Sequence, residues 1–193
     1  MAPDRGPRTT AVRPFDQATA PRAAAVGAAA GAGATLAMSM VMLPARWLGL
    51  LGTQPPRRIS DRLIAEAGSG NSTPEPVRRV GTALVHLATG AASGAVFGLA
   101  RVATRGAGSP SVVGPAFGAG VWGAAYVVAA PALELFAPPW KDRPARPQVM
   151  FVAHLVYGFV TAALFDLAIG SARSNAVDTP EPHRFISLFG APS

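Results

Sequence analysis

Residues 80–100 read VGTALVHLATGAASGAVFGLA, and none of them is charged. A hydrocarbon core about 30 Å thick is crossed by ~20 residues of helix rising ~1.5 Å each, so this stretch is long enough to span one. Residues 23–45, 106–133 and 147–165 share the property, and all 17 Lys+Arg and 10 Asp+Glu lie outside these windows. A soluble helical domain needs a polar face on most of its helices. These windows offer only single hydroxyls and two histidines, and midway through the membrane the polar side chains are Thr35, Ser39, Ser93, Tyr126 and Thr161. The expected fold is therefore an all-α membrane protein with four transmembrane helices, at about 23–45, 80–100, 110–133 and 148–169.

The same stretch carries the motif HLATG at 86–90, which returns 68 residues later as HLVYG at 154–158. The match continues with Ser93 over Thr161, Gly94 over Ala162, Phe97 over Phe165 and Leu99 over Leu167. A second correspondence sets Gly27 over Gly114, Gly31 over Gly118, Gly33 over Gly120 and Pro44 over Pro131. Spans one and two thus resemble spans three and four. Each unit holds two spans, so its copy enters the membrane in the same direction. That predicts two parallel two-helix repeats about an axis along the bilayer normal and disfavours inverted-repeat transport.

Small residues recur every four positions within the spans, at Gly27, Gly31, Thr35 and Ser39 and at Gly90, Gly94 and Gly98, with Gly118 and Gly158 in the later pair. Such rows let helix backbones approach closely, which matters in lipid because little hydrophobic force draws helices together. His86 and His154 extend the rows by one turn, so both are expected to face other helices at similar depth. As neutral imidazoles they can hydrogen-bond to a backbone carbonyl or hydroxyl. The sharper alternative is a proton-responsive pair, since histidine titrates near neutral pH. Two histidines without cysteines or nearby carboxylates fall short of a zinc or transition-metal site. At the span ends, Arg46 and Glu134 are expected at one surface and Arg101 and Asp166 at the other, each couple either paired or separately solvated.

Residues 1–22 carry four arginines and four prolines and are expected to form a disordered basic tail ahead of a membrane domain over 23–170. Residues 171–193 read as a polar C-terminal tail. The first apolar run is too long for a cleaved secretory signal and reads as a retained span. After it, Ile59, Leu63, Ile64 and Ala67 fall at helical spacing beside Arg57, Arg58 and Arg62. This predicts a short amphipathic surface helix that lies on lipid or caps the bundle. Trp47 and Trp140 suit an interfacial belt on that side. Basic residues are nearly balanced across the two sides. The arginine-bearing lead into span one and the close pair Arg101 and Arg105 favour both termini in the cytoplasm.

No nucleophile stands beside a base in a recognisable motif, no Walker or dinucleotide loop occurs, and the chain has no cysteine. No enzymatic activity and no cofactor are expected. Basic residues flank the spans instead of forming one patch with interleaved aromatics, so nucleic-acid binding is not expected either. The expected partners are the lipid bilayer and a second copy or another membrane protein.

The glycine-rich first span ending at a proline, the basic loop containing Pro55-Pro56, the HLxxG second span and the Gly-rich third span together resemble the YagU-type family of uncharacterised bacterial inner-membrane proteins. The resemblance covers roughly residues 24–170 and implies four spans in the bacterial plasma membrane with cytoplasmic termini. It brings no substrate. The expected role is that of a structural, scaffold or accessory subunit, the alternative being a proton or small-ion pathway or a pH-responsive protein that uses His86 and His154.

Overall fold

The computed structural model describes residues 19–177 apart from 53, 69–71, 136 and 144, and leaves out the side chains of 55 and 172–177. Among the described residues the chain forms α1 (Ala20–Trp47), α2 (Pro55–Glu66), α3 (Glu75–Ala103), α4 (Pro110–Ala132) and α5 (Arg146–Val177), with a 3-10 turn over Pro139–Lys141 and no strand. The helices α1, α3, α4 and α5 are long and apolar enough to cross a membrane, as the charge-free windows require. The expected N-terminal tail lies outside the described residues up to residue 18, and α1 already begins at Ala20. At the other end helix replaces the expected tail as far as Val177, and residues 178–193 lie outside the description.

Prolines set the helix starts. The first turns of α1 to α4 each carry at least one, where its missing N–H would have no intrahelical partner anyway. The ends are set by residues in the left-handed region. Gly49 (φ 73°) closes α1, and Leu50 N–H donates back to the Ala45 carbonyl at 2.9 Å. Glu134 (φ 54°) closes α4 in the same way, with Leu135 N–H donating to Ala130 at 2.8 Å. Between residues 123 and 129, α4 widens into π-helical turns. Pro131 has no N–H for the Val127 carbonyl, so α-helical spacing cannot continue unbroken through this region.

The packing order is α3 on α1, α1 on α5 and α5 on α4. Glycines make the first and last of these contacts. A Cβ built on Gly27 or Gly31 would strike the carbonyl oxygens of Gly94 or Gly90, and one on Gly94 would sit 2.8 Å from Gly31 Cα. In the other pair, a Cβ on Gly118 would strike the His154 carbonyl, and one on Gly158 would sit 2.8 Å from Gly118 Cα. Gly94 and Gly158 therefore meet matching partners, Gly27/Gly31 and Gly114/Gly118. They lie 64 residues apart, not the 68 of the histidine motif. By contact it is His154, not Gly158, that takes the place of Gly90. The second pair has slipped by about one helical turn, because its contact glycine stands one turn earlier relative to its histidine: Gly158 follows His154 by four residues, whereas Gly94 follows His86 by eight.

The core lies mainly between α1 and α5. Met38, Met42 and Ala45 pack with Met150, Ala153 and Tyr157 towards one end, and Ala23 and Ala30 pack with Phe97, Ala162 and Phe165 towards the other. Rings close the second end, where Phe97 of α3 meets Phe117 of α4 (centroids 5.0 Å apart) and Phe165 of α5 (5.7 Å). Leu36, Met40, Val96, Val112, Val128 and Leu167 are exposed on the outside. An apolar exterior around four long helices is consistent with a multi-pass membrane protein.

The α2 helix does not lie apart from the bundle. Arg58 donates to the Leu135 carbonyl at 2.7 Å and Arg62 to the Leu133 carbonyl at 3.0 Å, so one face of α2 covers the C-terminal end of α4. Ile59, between them, packs on Ala130 and Leu135. Of the two placements the sequence allows, α2 takes that of a cap on the bundle.

Backbone contact at the glycines leaves no room for a methyl group, whereas at Gly120 nothing lies within 4 Å of the position a Cβ would take. Gly94→Ala should lower stability by about 1–3 kcal/mol, the usual cost of overpacking. Gly120→Ala should leave it unchanged. Thermal unfolding of the two variants in detergent, side by side, checks the difference.

Candidate functional site

The four long helices and α2 line a partly open cavity of about 240 Å³. Its wall is mostly apolar, built from Met38 and Met42 of α1, Val121, Ala125 and Ala129 of α4, and Met150 of α5. The polar groups in it are few: Thr35, His86, Thr89, Ser93, Tyr126, His154 and Tyr157 within the helices, and Gln54 at the rim. The cavity exists because α3 and α4 are each held tightly by a different neighbour. They meet each other at the Phe97–Phe117 ring contact but make no extensive interface.

Most of the hydroxyls are already engaged. Thr35 donates to the Gly31 carbonyl at 2.8 Å, Thr89 to Val85 at 2.8 Å, and Tyr157 reaches across from α5 to the Gly90 carbonyl of α3 at 2.6 Å. His154 is buried, and its Nδ1 lies 2.7 Å from the Met150 carbonyl. A carbonyl only accepts, so Nδ1 carries the proton and the ring presents Nε2 as its remaining polar atom. His86 is half-buried and stands where this cavity meets a second one. Both histidines thus line one space, as their placement on the small-residue faces implied.

The second cavity is a polar vestibule of about 990 Å³ at the loop end of the bundle, lined by Arg46, Arg57, Arg79, Asp61 and Glu75. It shares Met42, Gln54, Pro56 and His86 with the apolar cavity. A charge network frames it. Arg57 makes a two-pronged contact with Glu75 (3.0 and 2.8 Å) and reaches Asp61 at 2.9 Å; Arg78 joins Asp61 at 3.0 Å and Arg79 joins Glu75 at 3.2 Å. These contacts tie α2 to the start of α3. The hydrogen bonds to Glu75 and Asp61 raise the Arg57 pKa above its ordinary value, so the guanidinium stays charged.

Of the expected end pairs, one forms. Arg101 is 4% exposed and meets Asp166 at 3.0 Å, while also donating to the Ala107 carbonyl at 2.7 Å; it pins the α3–α4 loop to α5. Arg46 and Glu134 make no ion pair among the described residues, because α1 packs on α3 and α5 and not on α4.

The sequence reading missed a third group. Tyr126, on the π-helical part of α4, donates to Asp142, which also takes Arg143 N–H at 2.6 Å and Arg146 at 3.1 Å. Arg146 in turn donates through Nε to the Leu51 carbonyl at 2.8 Å. The Asp142 and Arg146 side chains are only 7% and 10% exposed. Their i, i+4 spacing in a proline-rich loop was the signal available in the sequence.

Burial alone would push the Asp142 carboxyl up, but the Tyr126 hydroxyl, the Arg143 N–H and Arg146 together hold it below its ordinary 3.8. A carboxylate with a depressed folded pKa adds stability above its unfolded value and loses it as pH falls through the folded one. The chain should therefore lose stability as pH drops below about 4, and Asp142→Asn should flatten that part of the curve. At neutral pH the same variant should cost about 1.5–3 kcal/mol by weakening the charge-assisted hydrogen bonds that Arg146 and Tyr126 donate to this side chain. Thermal unfolding against pH measures both.

Comparison with known proteins returns one family and no individual relative: no curated protein and no solved structure matches the chain. The family match carries no YagU-type label. It runs over residues 21–176, from the first turn of α1 almost to the end of α5, and so takes in every element of the site. The chain belongs to DUF6789, a family of unknown function.

Proposed function

We propose that this chain is a four-span accessory protein of the bacterial inner membrane that holds a small, largely apolar molecule within its bundle. The observation that carries this reading is the cavity shared by His86 and His154. A purely structural bundle needs no such space. A through-going ion path needs polar groups along its whole length, and here Phe97, Phe117 and Phe165 close one end. A mostly apolar wall with a few convergent polar groups is the usual make-up of a small-molecule site.

The same proposal includes two parallel two-helix repeats, supported by the matching contacts of Gly94 and Gly158, and kinship with the YagU-type family, supported by the glycine, proline and HLxxG pattern. It puts both termini in the cytoplasm and α2 with the vestibule on the opposite side. A second copy or another membrane protein remains the expected macromolecular partner.

The topology is tested with single cysteines, since the chain has none of its own. Ser72→Cys and Ser109→Cys should label oppositely with an impermeant reagent in intact cells, Ser72→Cys being the accessible one. Equal labelling contradicts four spans, and the reverse pattern contradicts the orientation.

The binding role is tested with purified protein. Native mass spectrometry should find an apolar or amphipathic molecule bound to the wild type and absent from Ala125→Phe, whose ring would occupy the cavity. Liposomes containing the wild type should hold an imposed proton gradient as well as empty ones. The pathway alternative rests on the two histidines sharing one space. Proton flux lost in both His86→Gln and His154→Gln would establish it and displace the binding reading.

A further inference from the structure

The apolar cavity and the polar vestibule adjoin and have opposite chemistry. They meet at Met42, Gln54, Pro56 and His86. A ligand that fills both must carry an apolar body and a charged head. This inference rests on the proposed reading of the cavity as a binding site and adds the class of its occupant.

Charge decides the sign of the head. Three arginines and two carboxylates line the vestibule, and both carboxylates are already bound by arginines, Glu75 by Arg57 and Arg79 and Asp61 by Arg57 and Arg78. Arg46 forms no ion pair among the described residues and is exposed at the wall. A cationic head would meet a surplus of positive charge, whereas an anionic one would find an available guanidinium. Size decides the number of chains. An apolar cavity of about 150 Å³ already holds a benzene molecule, so one of about 240 Å³ takes a segment of a single hydrocarbon chain and not two side by side.

We infer that the bundle binds a single-chain anionic amphiphile of the fatty-acid kind, with its carboxylate at Arg46 in the vestibule and its chain past His86 in the apolar cavity. The hydrogen-bonding atoms of His86 and Gln54 at the shared wall would meet the polar-to-apolar junction of such a molecule. The chain end would stop above the ring cluster.

The test uses the purified full-length protein in detergent and compares palmitate with hexadecanol, which has the same chain and a neutral head. Palmitate should bind the wild type, and Arg46→Gln should weaken it about tenfold, the effect expected for loss of a charge-assisted hydrogen bond. Hexadecanol binding should be unchanged by Arg46→Gln, and Ala125→Phe should abolish both. Equal binding of the two ligands, with neither affected by Arg46→Gln, overturns the anionic head and leaves the cavity reading intact. Competition by two-chain phosphatidylglycerol as effective as that by palmitate overturns the single-chain assignment. No binding of either ligand to the wild type overturns this inference and counts against the binding role too. Should Ala125→Phe fail to fold, palmitate carrying a photoreactive diazirine on its chain gives the answer in the wild type. Crosslinks at Met38 or Met42 support the site, and crosslinks confined to exposed residues such as Val96 or Leu36 overturn it.

Discussion

The architecture depends on backbone-to-backbone contact at a handful of glycines. Gly27 and Gly31 face Gly90, Gly94 and Gly98, and Gly114 and Gly118 face Gly158, with carbonyl oxygens standing where a side chain would begin. Between helices in lipid there is little hydrophobic gain to be had, so attraction comes from many short van der Waals contacts, which weaken steeply with separation. A glycine face maximises them. It also leaves no slack, which is why a single methyl group at these positions is costly while one at Gly120 is not.

That constraint has a consequence for the rest of the bundle. Because α3 is committed to α1 and α4 to α5, the space between α3 and α4 has to be filled by side chains alone. Phenylalanines do this at one end, where Phe97, Phe117 and Phe165 interlock edge to face. At the other end the facing residues are Gly90, Ser93, Ala125 and Ala129, too small to meet, and a cavity remains. The two histidines lie on its wall because they continue the small-residue rows by one turn. Small side chains at these facing positions keep the cavity open beside the histidines.

The charged residues serve the open end. Arg58 and Arg62 satisfy carbonyls at the end of α4, Arg57 and Arg78 bind α2 to α3, and Arg146 joins the loop at Leu51 to Asp142 and, through it, to Tyr126. Each long side chain spans a gap between helix ends that the packed glycine faces cannot bridge. These guanidiniums are partnered within the protein.

Charge-free length and four-residue glycine spacing were enough, by themselves, to give four long helices and the faces on which they pack. These features are local: a span is a run of residues, and a face follows from 3.6 residues per turn. The Arg101–Asp166 pair was legible for the same reason, since both residues stand at the ends of spans whose depth can be counted. The tertiary structure alone decided which helices are neighbours. It kept Arg46 away from Glu134, turned α2 into a cap, and set the second helix pair one turn out of the register that the histidine motif suggests. It also created the cavity, the vestibule and the Tyr126–Asp142–Arg146 group. Each of these requires knowing how far apart two helices stand, and that distance is fixed by the contact of whole faces, which no single stretch of sequence contains.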